Sequence, residues 1–136
     1  MTKRKSAAPA KLALADTSLF IAIEQERPIS GSPPDEVTIS VITIGELRLG
    51  VLAAVDGPTR SRRLDTLSRA EALEPIPIDA RVAHAWAALR LALRDVGKRM
   101  PLNDSWIAAT AIAHRLPVVS QDGDYDNVPG LDVIRI

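Results

Sequence analysis

Cysteine is absent from this chain of 136 residues, and aromatic side chains make up only 3% of it. Without cysteine there are no disulfides, thiolate nucleophiles or zinc–thiolate sites, and a reducing cytoplasm is the expected setting. The scarcity of aromatic residues argues against a base-stacking platform for single-stranded nucleic acid. No apolar run approaches the roughly 18 residues of a membrane span, and no apolar segment follows the basic start as in a signal peptide. We therefore expect no contact with membrane.

The charge is balanced overall but distributed unevenly. Residues 1–11 carry Lys3, Arg4, Lys5 and Lys11 and no acid, whereas the rest holds thirteen basic and seventeen acidic residues. We predict a basic, disordered lead over residues 1–11 and a single domain over residues 12–136. A domain of net negative charge is not a bulk electrostatic binder of nucleic acid, so it would need local basic patches or metal ions.

Short apolar segments alternate with stretches of helical periodicity along the chain. This alternation predicts an α/β domain with a central, mostly parallel sheet. The predicted strands are residues 12–15, 37–41, a short segment at Ile76, 117–119 and 132–136, and the predicted helices are residues 17–26, 43–54, 60–73, 81–94 and 105–114.

Carboxylates stand at the ends of these predicted strands. Asp16 and Asp122 each come just after an apolar strand, and sites in open parallel sheets lie outside the carboxyl ends of strands. Asp16 also lies between two apolar segments, where a charge is costly without a partner or a metal ion. Clustered carboxylate oxygens are hard ligands that suit Mg²⁺ or Mn²⁺.

Each of these acids also has a purely structural explanation. Asp16 and Asp104 precede predicted helices and could cap them. Thr43 and Glu46 have the spacing of a capping box, in which the glutamate bonds back to the threonine N–H. The acid-rich loop over residues 121–127 could be a plain turn. From the residues alone, both explanations stay open.

Other catalytic patterns are missing or weak. His84 and His114 match neither the HExxH motif nor zinc-finger spacing, and there is no glycine-rich phosphate loop and no GxSxG motif. A phosphatase of the haloacid-dehalogenase type also starts with a strand and an aspartate. Its second aspartate, however, would stand at Ser18, and Lys98 is the only lysine after residue 11.

Four segments together resemble a known family over residues 12–136. They read LALADTSLFIAI, ISVITIGELRLGV, PLNDSWIAATAIAHRLPVVSQD and DYDNVPGLDVIRI, and they resemble in order and spacing the PIN-domain ribonucleases, most closely the VapC-type toxins of type II toxin–antitoxin pairs. The resemblance implies a three-layer PIN-like α/β fold, a central sheet flanked by helices, and a metal-dependent endoribonuclease that hydrolyses RNA phosphodiester bonds with Mg²⁺ or Mn²⁺.

Site residues follow from the resemblance position by position. Two departures from the family pattern stand out: Ser120-Gln121 replaces the usual Thr-Arg, and Tyr125 replaces the usual phenylalanine. The implied catalytic acids are Asp16, Glu46, Asp104 and Asp122, of which Asp16, Asp104 and Asp122 would bind metal, with Asp124 as the alternative fourth acid and Thr17, Ser18 and Ser120 as polar support.

We expect Asp122 rather than Asp124 to be the fourth acid. Asp122 lies closer to the end of its strand, where the backbone is held more rigidly. Asp124 would instead accept hydrogen bonds from N–H groups of the loop, as aspartates do in turns.

Basic and apolar surfaces supply candidates for substrate and partner contacts. Arg90, Arg94 and Lys98 step by four along one predicted helix, so they would share a face that could contact RNA. Arginines of the 60–73 helix form a second patch, and either patch could be only a solvated face. The family resemblance implies a VapB-like antitoxin, a homodimer and a toxin–antitoxin hetero-oligomer. Part of the apolar surface of residues 44–54 and 60–73 would then contact the partner.

Two alternatives within the family stay open at this point. One is a PIN nuclease that processes RNA without being a toxin. The other is a non-catalytic PIN-like protein that binds a partner or regulates DNA with it. The second would be indicated by a missing acid, and all four acidic positions are filled.

Overall fold

The computed structural model describes residues 11–136, in which short strands alternate with helices. The predicted lead over residues 1–11 lies outside this range, apart from Lys11. The elements are β1 (Leu12–Ala15), α1 (Thr17–Glu24), β2 (Glu36–Thr38), α2 (Val41–Ala53), α3 (Gly57–Glu71), α4 (Ala80–Asp95), α5 (Leu102–Ala113), β3 (Val118–Ser120), a 3₁₀ turn (Gly123–Tyr125) and β4 (Val133–Arg135).

The four strands form one parallel sheet in the order β2-β1-β3-β4. Its two central strands are apolar, as expected where both faces are covered. Leu14 of β1 joins the core on one face, and its neighbours Ala13 and Ala15 join the core on the other, because successive side chains of a strand point in opposite directions. Helices α4 and α5 cover the first face and helices α1, α2 and α3 cover the second. The predicted three-layer fold is confirmed.

The strand order places a topological switch point between β1 and β3. The chain leaves β1 toward β2 on one side and later crosses to β3 and β4 on the other. Open parallel sheets bind ligands in the crevice outside the carboxyl ends of the strands at such a point. Asp16 follows β1 and Ser120 ends β3, so two predicted site residues lie at this crevice.

The start of α2 differs from the prediction. The helix begins at Val41, two residues early, because Ser40 caps it with an Oγ that accepts from Ile42 N at 3.0 Å. The preceding strand therefore ends at Thr38, and no capping box joins Thr43 to Glu46. The strand predicted at Ile76 is reduced to a single bridge to Ser40.

The start of α5 was also predicted too late. This helix begins at Leu102 after Pro101, whose missing N–H costs nothing at a helix start. Asp104 is therefore not the cap but lies in the first turn, where its charge complements the helix dipole. The other boundaries agree with the prediction within three residues. Over residues 11–136 no helix is long and apolar enough to cross a membrane.

Candidate active site

Asp16 is held firmly at the end of β1. Its carboxylate is only 3% exposed and caps α1, where Oδ2 accepts from Ser18 N at 3.3 Å. Ser120 Oγ donates to the same oxygen at 2.8 Å, and the Tyr125 hydroxyl donates to Oδ1 at 2.9 Å. Capping and a place in the site are therefore compatible for this residue, and three donors fix the plane of its carboxylate.

Three further acids meet beside it. Asp104 of α5, Asp122 and Asp124 each place a carboxylate oxygen so that these atoms lie within 4.8 Å of one another. Asp16 and Glu46 are not members of this close group, which we call the acid triad. The triad thus unites Asp104 and Asp122 with Asp124, the residue considered as an alternative to Asp122.

The loop after β3 is ordered by Asp122 rather than by Asp124. Asp122 Oδ1 accepts from Asp124 N at 2.9 Å, and Asp122 N donates to Ser120 Oγ at 2.8 Å. We expected Asp124 to bond the loop N–H groups, and this expectation was wrong. Asp122 accepts the hydrogen bond from the loop instead, because it is the residue that caps the 3₁₀ turn.

Burial, followed by like charge, sets the electrostatics of the triad. Burial raises the pKa of Asp104 to about 7, and the Asp16 carboxylate and a hydrogen bond to Asp124 add to the rise. Burial and the neighbouring carboxylates of Asp16 and Asp104 also raise the pKa of Tyr125 far above its usual value, so the phenol stays a donor. Among the described residues, the ion pairs involve Asp65, Asp95 and Asp126, none of which belongs to the triad.

Glu46 projects from α2 toward the start of α5. Its Oε1 accepts from Thr17 Oγ1 at 2.5 Å, and its Oε2 accepts from Asn103 Nδ2 at 3.4 Å. Thr17 Oγ1 also lies 3.0 Å from Thr43 Oγ1. Asn103 is the residue before Asp104, so its hydrogen bond joins Glu46 to the first turn of α5.

Ser18 and Ser120 connect the two central strand ends. Their Oγ atoms lie 3.1 Å apart, and Gln121 N donates to Ser18 Oγ at 3.1 Å. All three residues predicted as polar support therefore contact an acid or its backbone neighbours.

Sequence reasoning missed three contributors to the site. Asn103 was not considered. No role was predicted for the hydroxyl of Tyr125, although a tyrosine in place of the usual phenylalanine was the available signal. Arg135 of β4 donates to Gln121 O at 3.1 Å and to Asp126 Oδ2 at 2.8 Å. A cation from β4 thus lies beside the loop, where the sequence has Gln121 instead of an arginine.

The basic residues predicted to contact RNA share one cavity. It has a volume of about 340 Å³ at the end of α4, and its cationic lining is Arg90, Arg94, Lys98 and Arg99. The Arg90 guanidinium also lies over the Trp86 ring, 5.5 Å from its centre. The second patch is structural in part, because Arg60 and Arg63 of α3 donate to carbonyl groups at the end of α2.

The apolar residues of α2 and α3 divide between core and surface. Leu47, Val51 and Leu67 are buried, whereas Leu49 and Leu52 are each 66% exposed. A cavity of about 340 Å³ lies between α1 and α3 and includes Phe20, Ile23 and Arg62 in its lining. A second cavity, of about 200 Å³, includes Leu47, Arg63 and Glu46. Glu46 therefore both lines a groove of the helical surface and bonds to the first turn of α5, which carries Asp104.

A family model for the PIN domain matches residues 13–131 of the chain. The chain belongs to the PIN-domain family. Ribonuclease VapC4 of Mycobacterium tuberculosis (strain ATCC 25618 / H37Rv) is 49% identical over 129 residues, which cover 91% of this chain and 96% of that protein. Ribonuclease VapC5 of the same strain is 42% identical over 125 residues, covering 89% of this chain and 93% of that protein.

Solved structures agree with this membership. The crystal structure of VapBC-5 from Mycobacterium tuberculosis, a member of the VapBC family of toxin–antitoxin systems, superposes with a TM-score of 0.82. The two chains are 40% identical, and the match covers 93% of this chain and 99% of that one. The predicted resemblance is confirmed, and the phosphatase alternative is wrong, because its fold and motifs belong to a different family.

Proposed function

We propose that the protein is a metal-dependent endoribonuclease and the toxin of a toxin–antitoxin pair, with a nuclease domain over residues 12–136. The observation that carries the proposal is the acid triad: three carboxylates brought within 4.8 Å at the switch point of the sheet, with no cationic side chain of the described residues paired to them. The names of the 49% and 42% identical relatives, both ribonucleases, support it.

The donor set of the triad fits a hard divalent cation. Carboxylate oxygens are the ligands that Mg²⁺ and Mn²⁺ prefer. Burial and then the neighbouring acids raise the pKa of Asp104, and a bound cation would neutralise those acids. We propose that Asp104, Asp122 and Asp16 hold the ion and that Asp124 is the alternative to Asp122. Bound there, Mg²⁺ or Mn²⁺ would activate water and stabilise the charge on the leaving oxygen.

The protein's own residues position these groups. Ser120 donates to Asp16 and accepts from Asp122 N, so one hydroxyl joins the acids that follow β1 and β3. Thr17 and Asn103 hold Glu46 by one carboxylate oxygen each. We propose that Glu46 lies beside the triad and accepts a hydrogen bond from the attacking water. The preorganised carboxylates then require no movement of the backbone during the reaction.

A route for the RNA leads from the triad to the cationic cavity of Arg90, Arg94, Lys98 and Arg99. Met100 lines that cavity and lies four residues before Asp104, so the Cα atoms of these two residues are at most roughly 14 Å apart. A strand bound at the triad would therefore present a neighbouring phosphate to these cations. This local patch would offset the net negative charge of the rest of the domain.

We propose a VapB-like antitoxin as partner, together with a homodimer and a toxin–antitoxin hetero-oligomer in the cytoplasm, where RNA substrates are found. The exposed Leu49 and Leu52 and the cavity between α1 and α3 would receive an apolar segment of the partner. A basic side chain of the partner, placed in the cavity that includes Glu46, would approach the acids and inhibit the enzyme. A monomer in light scattering at high concentration, together with harmless expression of the chain alone, would contradict this proposal.

The function is tested by cleavage of RNA with purified, partner-free protein. We expect cleavage with Mg²⁺ or Mn²⁺ and none with EDTA, and Asp104→Asn provides the matched variant that tests for a contaminating nuclease. Metal-dependent cleavage that is equal in the two proteins would contradict the assignment. Cleavage without growth arrest on expression would instead favour an RNA-processing PIN nuclease, and binding of a partner without any cleavage would favour a regulatory protein.

A further inference from the structure

Tyr125 carries a buried hydroxyl that packing does not explain. The residue is fully buried and is the largest such side chain in the described residues. Its ring packs in the core beneath α4 and α5, with neighbours such as Leu14 and Ile107. A phenylalanine ring would fill the same space without the cost of burying a polar group. The reason for a hydroxyl at this position must therefore lie in the group that it contacts.

That group is a carboxylate of the proposed metal site. The Tyr125 hydroxyl donates to Asp16 Oδ1 at 2.9 Å, across 109 residues of chain, and Asp104 is its second carboxylate neighbour. The other oxygen of Asp16 is occupied by Ser120 Oγ and Ser18 N. Among these three hydrogen bonds, the one from Tyr125 is the one that reaches Asp16 Oδ1.

A neutral donor is what this position requires. A lysine or arginine would neutralise Asp16 and compete with a metal ion for the same acids. A phenol instead fixes the orientation of the carboxylate and leaves its charge in place, and an ionised carboxylate oxygen that accepts one hydrogen bond still has capacity for a second ligand. Partners that orient metal ligands in this way typically contribute about 10–100-fold to metal affinity.

We propose that Tyr125 is a positioning residue, whose hydroxyl holds Asp16 Oδ1 in the orientation in which Asp16 shares a divalent cation with the acid triad. This inference rests on the proposed metal site and adds to it a residue that never contacts substrate. It predicts an effect on binding of the metal alone, without RNA.

The test is calorimetric titration of Mn²⁺ into the metal-free full chain, comparing the wild type with Tyr125→Phe. We expect the dissociation constant for Mn²⁺ to rise about 10–100-fold in the variant. The matched control is Thr110→Val, which removes another buried hydroxyl from the same core: Thr110 Oγ1 donates to Trp106 O at 2.8 Å. This control should lower the melting temperature but leave the Mn²⁺ affinity unchanged.

A second measurement covers the case in which Tyr125→Phe is poorly stable. Both variants are studied at a temperature well below the melting transition of Tyr125→Phe in EDTA. The increase in the free energy of unfolding that saturating Mn²⁺ produces should be smaller for Tyr125→Phe than for Thr110→Val. The proposal would be overturned if Tyr125→Phe bound Mn²⁺ within twofold of the wild-type affinity. It would also be overturned if Thr110→Val lost as much Mn²⁺ affinity as Tyr125→Phe. Wild-type protein that binds Mn²⁺ but never cleaves RNA would instead contradict the proposed function and leave the role of Tyr125 standing.

Discussion

The acids at the carboxyl edge of the sheet lie in two different environments. Asp16 is buried, caps α1 and accepts from a serine hydroxyl, a phenol and a backbone N–H. Asp104, Asp122 and Asp124 face one another instead, and the pKa of Asp104 is raised to about 7. One carboxylate is satisfied by the fold itself, whereas the other three gain most from a cation that the chain does not supply.

A small domain can keep a charged site stable by treating its acids in these two ways. The fold uses hydrogen bonds to fix the acid at the centre of the sheet, where a misplaced charge would cost most. It leaves the unfavourable repulsion among the three triad acids, where a bound metal ion can relieve it. Removing the charge of Asp104 and removing the charge of Asp16 should therefore have opposite effects on metal-free stability.

The largest expected effect is on cleavage. Asp104→Asn removes a triad carboxylate, and we expect RNA cleavage with Mg²⁺ to fall by more than about 100-fold, beyond the loss typical of residues that only orient ligands. The same change relieves repulsion, so the melting temperature in EDTA at pH 8 should rise. Asp16→Asn should also lose cleavage but should melt lower, because it weakens the bonds to Ser120 and Tyr125. A variant of Asp104 that melts lower in EDTA would break the comparison.

The next effect concerns pH. Because the pKa of Asp104 is raised from 3.8 to about 7, the folded protein binds more protons than the unfolded chain between these values. The free energy of unfolding in EDTA should therefore fall as pH rises from about 4 to about 7 and then level off for this group. Thermal melts across this range measure it, and the melting temperature should drop by a few degrees.

Two comparisons sharpen the pH experiment. In Asp104→Asn the free energy of unfolding should fall much less with rising pH, since the titrating group is gone. Saturating Mg²⁺ should restore stability most at high pH, because metal binding requires deprotonated ligands. Equal pH profiles for wild type and Asp104→Asn in EDTA would show that another group carries the dependence.

A smaller effect separates the two loop acids. Asp122→Asn keeps the side-chain oxygen that accepts from Asp124 N but loses the carboxylate charge, so we expect an unchanged melting temperature but clearly weaker cleavage. Asp124→Asn should weaken cleavage less. Melting temperatures and Mg²⁺ titrations of cleavage, measured in pairs, test this order. A larger loss in Asp124→Asn would make Asp124 the fourth acid.

The smallest effect is expected at the cationic cavity. Lys98→Gln should weaken binding of single-stranded RNA a few-fold and reduce the slope of log affinity against log salt concentration by about 0.7, the value for one phosphate contact. Binding is measured in the Asp104→Asn background, so that RNA is not cut. The matched control is Arg69→Gln, a cation of α3 paired with Asp65. Equal losses of RNA affinity in Lys98→Gln and Arg69→Gln would indicate that only the overall charge of the protein matters.

Much of this organisation could be predicted from the sequence. Apolar segments that end in aspartate indicated the parallel sheet and the crevice, since strand alternation and the cost of a buried charge are local properties. The starts of α2 and α5 could not be predicted from the sequence. Thr43 and Asp104 matched the capping patterns, but the residues that cap the two helices are Ser40 and Pro101. The Tyr125–Asp16 bond joins residues 109 positions apart, and no local pattern predicts which buried side chains meet across a core.

The proposed function depends first on whether the acid triad binds a divalent cation. The decisive measurement is a calorimetric titration of Mn²⁺ into metal-free wild-type protein and into Asp104→Asn at pH 8, without RNA. We predict one saturable binding event in the wild type and an affinity reduced by more than about 100-fold in the variant. Equal affinity in the two proteins would contradict the account, because the triad would then not be the metal site.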